Sequence, residues 1–330
     1  MVKSEEAPSL TVGIPVYNGM PYVRDCMESL LAQSYSNFEI LLVVDSSSDG
    51  SLEYLESISD PRIRIIEGPR AGLIAALNLL LREAKTTWLV RQDADDIAYP
   101  KRLETIIRYA QDFPEAGIIF SRAEYYPPDR SFGLFRDSRG TPEELRAVVR
   151  SGYLLAFCHP TAVLNVEKTL RIGGYDRTLK HAEDADLWWR AALEFDLQII
   201  PEVLVGYRMH ATSMMTQGLH DDAVSGLYVQ YRLLSSLIGR DPLPLERVQV
   251  VLDSLIDGRA LRAKSHLRTF NMRVGQRDLF GAILAFLTAT FTSPGFVARR
   301  ILDEFQSKGV LRNGIDPALF QRARKELWPE

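Results

Sequence analysis

Two patterns of apolar and polar positions alternate along the first 125 residues. Short apolar-rich runs at 10–16, 38–44, 62–67, 88–90 and 117–122 predict strands. Between them, residues 20–33, 51–58, 72–84 and 101–113 carry helical spacing, with Val23, Met27, Leu30 and Leu31 as the stripe of the first. The run 38–44 is apolar almost throughout, the pattern of a central parallel strand covered on both faces. Such alternation predicts β-α-β units, hence an α/β fold with a mostly parallel sheet sandwiched by helices.

Further along the regularity fades. Residues 125–160 contain Pro127-Pro128 and a charged loop to Arg139, followed by a helix at 142–151. Strands are expected at 162–164, 197–200 and 203–207, the last two separated by Pro201, with helices at 166–172 and 184–194. Gly173-Gly174-Tyr175-Asp176 reads as a turn. After Met215 the strand signals end, and helical patterns cover 219–238, 243–268 and 277–291, with a final helix near 317–327. The expected division is therefore an α/β part over 1–215 and a helical extension over 216–330.

With 46% apolar and 25% charged residues among 330, the composition is that of an ordinary globular protein. It excludes a fibrous repeat and a disulfide-stapled miniprotein. Cys26 and Cys158 make neither a disulfide framework nor a zinc cluster and read as small buried side chains. The N-terminal residues MVKSEEAPSL lack an apolar core, so no secretory leader is expected. The longest uncharged apolar run, Leu279–Thr292, is shorter than the roughly 18 residues that span a bilayer. The expected compartment is the cytoplasm. Net charge is only -4, but residues 1–215 hold 23 basic and 31 acidic side chains and residues 216–330 hold 16 and 12. Halves of opposite sign are a cue to different partners.

Polar clusters fall at the expected carboxyl ends of strands, where open α/β sheets bind ligands: Asn18, Asp45 and Asp93-Ala94-Asp95-Asp96. The last places three carboxylates within four residues. It reads either as a solvated loop capping the next helix or as a cation site. Carboxylates this close raise one another's pKa, and a bound divalent cation removes that repulsion. An all-oxygen donor set suits Mg²⁺ or Mn²⁺, which Mg²⁺ sites commonly share with substrate phosphates. No Walker A loop is present and no GxGxxG follows the first strand, so kinase and dinucleotide-dehydrogenase readings lose their main support.

These motifs, in this order, resemble inverting family 2-type glycosyltransferases with the GT-A fold. The matching segments are Pro15-Val16-Tyr17-Asn18, Asp45-Ser46-Ser47-Ser48-Asp49-Gly50-Ser51, Gly72 to Asn78, Asp93-Ala94-Asp95-Asp96, Gly173-Gly174-Tyr175-Asp176, Glu183-Asp184-Ala185-Asp186-Leu187-Trp188 and Tyr207-Arg208-Met209-His210. The resemblance covers about residues 8–215. It implies a catalytic domain over 1–215 that moves a sugar from a nucleoside-diphosphate sugar, UDP favoured, to an acceptor hydroxyl. It also implies Asp45 at the base, although Val44 stands where relatives often carry a second aspartate. Pro15, Tyr17 and Asn18 would line the base and ribose pocket. Asp93 would meet the ribose or a water on the metal, and Asp95 would be the metal ligand. Arg70 would meet phosphate, Asn78 would anchor backbone at the nucleotide site, and His210 would complete the metal shell or touch the diphosphate. His159 would face the acceptor. Asp184 would be the general base, with Glu183 on acceptor or donor sugar; helix capping is the plain alternative for this acidic pair. One of Trp188 and Trp189 is expected in the core and the other is a candidate for sugar stacking.

Residues 259–277 carry Arg259, Arg262, Lys264, Arg268, Arg273 and Arg277 without an acidic residue, directly before the apolar run. A solvated basic face is one reading. The other is peripheral attachment to an anionic membrane surface, on the inner face of the plasma membrane, near a glycan or lipid-linked acceptor. No nucleic-acid motif accompanies the charge. Rival readings for the whole chain are a nucleotidyltransferase of similar α/β build and a non-catalytic module that binds sugar nucleotide or glycan.

Overall fold

The computed structural model describes residues 9–127, 133–208, 219–275, 277–306 and 309–329. Among these, eight strands are present: β1 (Leu10–Val16), β2 (Phe38–Val44), β3 (Ile63–Glu67), β4 (Trp88–Arg91), β5 (Ile97–Ala98), β6 (Ala116–Tyr126), β7 (Val163–Asn165) and β8 (Asp196–Arg208). The helices among the strands are α1 (Val23–Leu31), α2 (Ser51–Glu56), α3 (Leu73–Glu83), α4 (Arg102–Asp112), α5 (Pro142–Arg150), α6 (Val166–Arg171) and α7 (Glu183–Glu194). Beyond β8 come α8 (Leu219–Leu237), α9 (Leu245–Ser254), α10 (Gly258–Gly275), α11 (Leu279–Thr292), α12 (Pro294–Gln306), α13 (Pro317–Arg322) and α14 (Arg324–Leu327).

All eight strands form one sheet in the order β3-β2-β1-β4-β7-β6-β8-β5. Neighbours β3-β2, β2-β1, β1-β4 and β6-β8 are parallel, and only β7 and β5 run against the rest. Strand side chains alternate between faces, and both faces here are covered. Leu10, Val12, Ile14 and Val16 share one core with Met27 and Leu30 of α1, Leu55 of α2 and Ile106 of α4. Gly13, on the opposite face, lies so close to Leu89 and to Leu80 of α3 that an added Cβ would sit 2.7 Å and 3.4 Å from them. The absence of a side chain there lets α3 pack down. This is the α/β sandwich expected from the alternation.

The structure differs from the expected elements in several places, among them α12, which was not expected, and the final helix, which is two, α13 and α14. The strands at 197–200 and 203–207 are one strand, β8, running through Pro201. β8 advances from Ile199 to Val203 while its partner β6 advances only from Phe120 to Arg122, and this bulge accommodates a residue without an N–H. The helical stretch 243–268 is broken into α9 and α10, because Asp257 Oδ1 accepts from the Arg259 and Ala260 amides at 2.9 and 3.2 Å and starts a new helix. β5, only two residues long, pairs with Val205 and Gly206 of β8 and has no periodicity to reveal it.

The chain folds as two compact units. One comprises the N-terminal part through Tyr126, Phe157–Thr178 and Glu194–Arg208, and contains the whole sheet. The other comprises Pro127–Ala156, Leu179–Leu193 and the part from Met209 onward. In this second unit Gln230 of α8 donates to the Gly152 and Ile315 carbonyls at 2.9 and 2.7 Å. The Tyr231 hydroxyl donates to Leu327 O at 2.8 Å, which ties α14 to α8.

Candidate functional site

The loops after β1, β2, β3 and β4 meet at the carboxyl edge of the first unit. Pro15 pairs with Val43, but β4 has already stopped at the Gly13–Arg91 pair, so the missing N–H breaks no ladder bond. Tyr17 is exposed. Asn18 adopts left-handed backbone (φ 48°), donates its amide to Ser47 Oγ at 3.0 Å and accepts from the Ser48 amide at 2.9 Å. Asp49 fastens the same two loops: its Oδ2 accepts from the Met20 amide at 2.8 Å and its Oδ1 from the Ser51 hydroxyl at 2.6 Å. Burial alone would raise the Asp49 carboxyl, but these bonds outweigh it and hold it below the usual carboxylate value.

Asp45 is buried at the end of β2 and is cradled by the loop after β3. Its Oδ1 accepts from the Arg70 amide at 2.8 Å and its Oδ2 from the Gly72 amide at 3.3 Å. Gly68 lies against it so tightly that a Cβ there would come 2.7 Å from the Asp45 Cα. Arg70 thus serves Asp45 through its backbone, while its exposed guanidinium pairs with Glu67 at 2.9 Å. Asn78 is buried on α3. Its Nδ2 donates to Tyr175 O at 2.8 Å and its Oδ1 accepts from the Tyr175 amide at 3.0 Å. It therefore locks the Gly173-Gly174-Tyr175 turn to α3, as backbone anchorage requires.

Asp93, Asp95 and Asp96 follow β4, and each can place a carboxylate oxygen within 4.8 Å of the others. Burial pushes the Asp93 carboxyl up, and Asp95 adds to this, while Arg91 pairs with Asp93 and opposes the rise. Asp96 is fully buried, and burial together with Asp93 and Asp95 holds its carboxyl well above the usual range. One Asp96 oxygen accepts from the Arg208 amide at 2.8 Å; the other, Oδ2, is buried and has no hydrogen-bond partner among the described residues. Three crowded carboxylates, one with an unpartnered oxygen, are a donor set suited to a hard divalent cation.

The loop is held in place by side chains that sequence reasoning did not single out. Gln92 donates to the Asp93 and Asp96 carbonyls, both at 3.0 Å, and accepts from Arg102. Arg102, fully buried on α4, also donates to the Arg91 and Pro160 carbonyls at 2.8 and 2.6 Å. Arg208, at the end of β8, donates to Asp95 O and Asp25 Oδ2 at 2.8 and 2.7 Å and lies between the Tyr22 and Tyr126 rings. Only Arg208, inside the Tyr207-to-His210 segment, had a sequence signal. Gln92 and Arg102 look like ordinary surface residues until α4 folds over the loop. His159 is half-buried between the site and Tyr175, whose hydroxyl lies 2.9 Å from its Nε2. Burial, and then Arg91, hold its imidazole well below its usual pKa, so it is neutral near pH 7.

Glu183 and Asp184 open α7 in the second unit. Glu183 is buried, and Asp184 Oδ1 accepts from the Ala185 amide at 2.7 Å. Ala182, just before them, is in left-handed backbone (φ 61°). Two residues on, Asp186 is fully buried between Arg190 at 2.8 Å and Arg232 of α8 at 3.3 Å, which fixes the first turn. Trp188 and Trp189 are both buried, so neither offers the exposed ring face expected for sugar stacking. Cys26 and Cys158 are both buried and unbridged, as expected. His210 lies outside the described residues.

Comparison with known proteins agrees with this geometry. Residues 11–171, which hold the Asp45 cradle and the carboxylate cluster, match the family described as Glycosyl transferase family 2. These residues form a glycosyl transferase family 2 domain. Among relatives, EpsE of Bacillus subtilis (strain 168), which its name describes as a glycosyltransferase, is 31% identical over 56% of this chain and 66% of its own length. An uncharacterised glycosyltransferase of Rickettsia prowazekii (strain Madrid E) is 28% identical over 65% of this chain and 68% of its own. The chain spans about two thirds of the length of these relatives. Two solved structures share the fold. Staphylococcus aureus TarS 1-349 in complex with UDP-GlcNAc aligns at TM-score 0.52 with 14% identity, over 85% of this chain and 91% of that one. The mannosyltransferase PcManGT from Pyrobaculum calidifontis, in complex with GDP-Man and Mn²⁺, aligns at TM-score 0.52 with 18% identity, over 98% and 88%. The sheet is that of a GT-A enzyme, and the family 2 domain favours glycosyl transfer over the nucleotidyltransferase reading.

Proposed function

We propose that this family 2 enzyme is a metal-dependent, inverting glycosyltransferase that uses a nucleoside-diphosphate sugar, UDP favoured. The observation that carries the proposal is the carboxylate cluster at the end of β4, with three acids within 4.8 Å and an unpartnered Asp96 oxygen. The UDP-GlcNAc bound to TarS and the GDP-Man and Mn²⁺ bound to PcManGT support a nucleotide-sugar donor and a divalent cation.

In this reading Asp95 and His210 would hold Mn²⁺ or Mg²⁺, and Asp93 would meet the ribose or a water on the metal. When bound, the ion offsets charge on the leaving diphosphate as a Lewis acid. Asp45 keeps acceptor capacity for a base N–H at Oδ2, which receives the Gly72 amide alone, whereas Oδ1 takes both the Arg70 amide and the Ser46 hydroxyl. Pro15, Tyr17 and Asn18 border the base and ribose, and the Arg70 guanidinium reaches phosphate by leaving Glu67. Inversion by single displacement needs one base to take the acceptor proton. Asp184 is assigned that role and Glu183 the contact to sugar. We further assign the chemistry to residues 1–215 and placement to 216–330. The acceptor is a growing cell-surface polysaccharide or a lipid-linked glycan, met from the cytoplasmic side of the plasma membrane.

Calorimetry with UDP and GDP, each with and without Mn²⁺, tests the donor and metal together. Binding that needs the ion is expected, and nucleotide binding indifferent to Mn²⁺ would overturn the metal reading. Asp184→Asn should lower transfer by about 10³-fold or more while leaving UDP affinity unchanged; retained turnover would remove it as the base.

A further inference from the structure

α11 has no charged residue on any face. Its inner side is a stripe of small residues, Gly281, Ala282, Ala285 and Ala289, all buried, which lets α10 approach closely. Ala289 shares a small core with Ala263 of α10 and Val297 of α12, and the Phe270 and Phe286 rings meet at a 54° tilt with centroids 5.6 Å apart. Among the described residues nothing covers its outer side. Phe280 and Phe291 are 81% and 85% exposed, and Leu279, Ile283, Leu284 and Leu287 are exposed beside them. A contiguous apolar face of this kind on a folded protein marks a contact surface.

Charge narrows the partner. Residues 258–306 contain eight basic side chains and three acidic ones, Asp278, Asp303 and Glu304. Asp278 is already occupied, capping α11 at the Gly281 amide and pairing with Arg273. Arg259 and Arg262 on α10, and Arg299 and Arg300 on α12, are exposed. Among the described residues no single helix is long and apolar enough to cross a membrane, and α11 meets the start of α12 at 115°. A short apolar helix that is exposed on one side and flanked by cations on the neighbouring helices can bury that side at the headgroup–acyl boundary of a bilayer. A second copy of this chain is disfavoured, because it would bring two strongly basic surfaces together.

We propose that the outer face of α11, framed by the basic side chains of α10 and α12, docks on the surface of an anionic lipid bilayer. Leu279, Phe280, Ile283, Leu284, Leu287 and Phe291 enter the acyl boundary, and the arginines meet lipid phosphates. Each basic residue near an anionic leaflet raises partitioning by about fivefold. The proposal is independent of the transfer chemistry, since its test needs neither donor nor acceptor.

The test is co-sedimentation of the full chain with vesicles of phosphatidylcholine alone and of phosphatidylcholine with phosphatidylglycerol. Binding to the anionic vesicles, weakened by added salt, is expected. Phe280→Glu with Phe291→Glu should lower it by at least about tenfold without changing the melting temperature, and Arg259, Arg262 and Arg299→Gln should abolish the preference for phosphatidylglycerol. If the charged pair perturbs folding, a Phe291→Trp reporter replaces it: its emission should shift to the blue on anionic vesicles and be quenched by brominated acyl chains. No vesicle binding by the wild type, equal binding by the double variant, or an unshifted reporter would overturn the proposal. So would a wild-type dimer that the double variant converts to monomer, which would assign the face to a second copy.

Discussion

Several side chains in the site titrate away from their values in water. His159 is neutral because burial and Arg91 both disfavour its charged form. In the unfolded chain the same imidazole takes up a proton near 6.5. The unfolded state therefore binds more protons below that pH, and stability falls as pH drops through 6.5 toward the folded value. Over that window His159 contributes a slope of up to about 1.4 kcal/mol per pH unit. Thermal melts of His159→Gln from pH 7 to 5 should show a shallower loss than the wild type. Gly174 illustrates a different constraint. It sits at φ 65°, and a Cβ there would come 2.6 Å from Asn78 Oδ1. Gly174→Ala should destabilise by about 2 kcal/mol and loosen the Asn78–Tyr175 lock, read as a lower midpoint in urea. The pair Gly173-Gly174 was visible in the sequence as a turn. That Asn78, 97 positions from Tyr175, is its partner was not, because nothing local links them.

At the scale of elements, long periodic segments were legible and short or tertiary-specified ones were not. β1 and β2 run over residues 10–16 and 38–44, as their apolar-rich runs predict, because a strand covered on both faces is apolar at most of its positions. β5 escaped because two residues have no period, and it exists only because β8 offers it an edge. It has consequence for the site, since β5 and β8 together bring the Arg208 amide to Asp96. The break between α9 and α10 rests on a single cap. Asp257→Ala removes both amide contacts and should destabilise by about 1 kcal/mol, with a corresponding loss of helix by far-UV circular dichroism.

For the whole molecule, the acidic cluster sets a response to pH and, on the proposed metal reading, to a divalent cation. Asp93 and Asp96 have raised folded-state pKa values, so in the absence of metal the folded state binds more protons than the unfolded one just above the ordinary carboxylate range. Stability from this source falls as pH rises through that range. A divalent cation needs the carboxylates ionised, so binding releases protons and strengthens with pH. Mn²⁺ at about 100 times its dissociation constant should add roughly 2.7 kcal/mol, measured as a rise in melting temperature that EDTA reverses and that is smaller at pH 6 than at pH 8. Asp95→Asn should lose most of that rise.

The sequence by itself determined the α/β alternation, the strand ends that carry Asp45 and Asp93–Asp96, the buried cysteines and the basic, apolar C-terminal pattern. These are local properties: run length, period and residue type decide them before any long-range contact forms. Tertiary structure alone decided that Asp45 is cradled by Gly68, Arg70 and Gly72, that Gln92 and Arg102 hold the acidic loop, and that the β8 strand carries Arg208 to it. It also buried both Trp188 and Trp189, and turned one side of α11 inward and the other out. Each of these depends on which residues, tens of positions apart, share a low-dielectric neighbourhood, and that proximity is a property of the packed chain rather than of any segment.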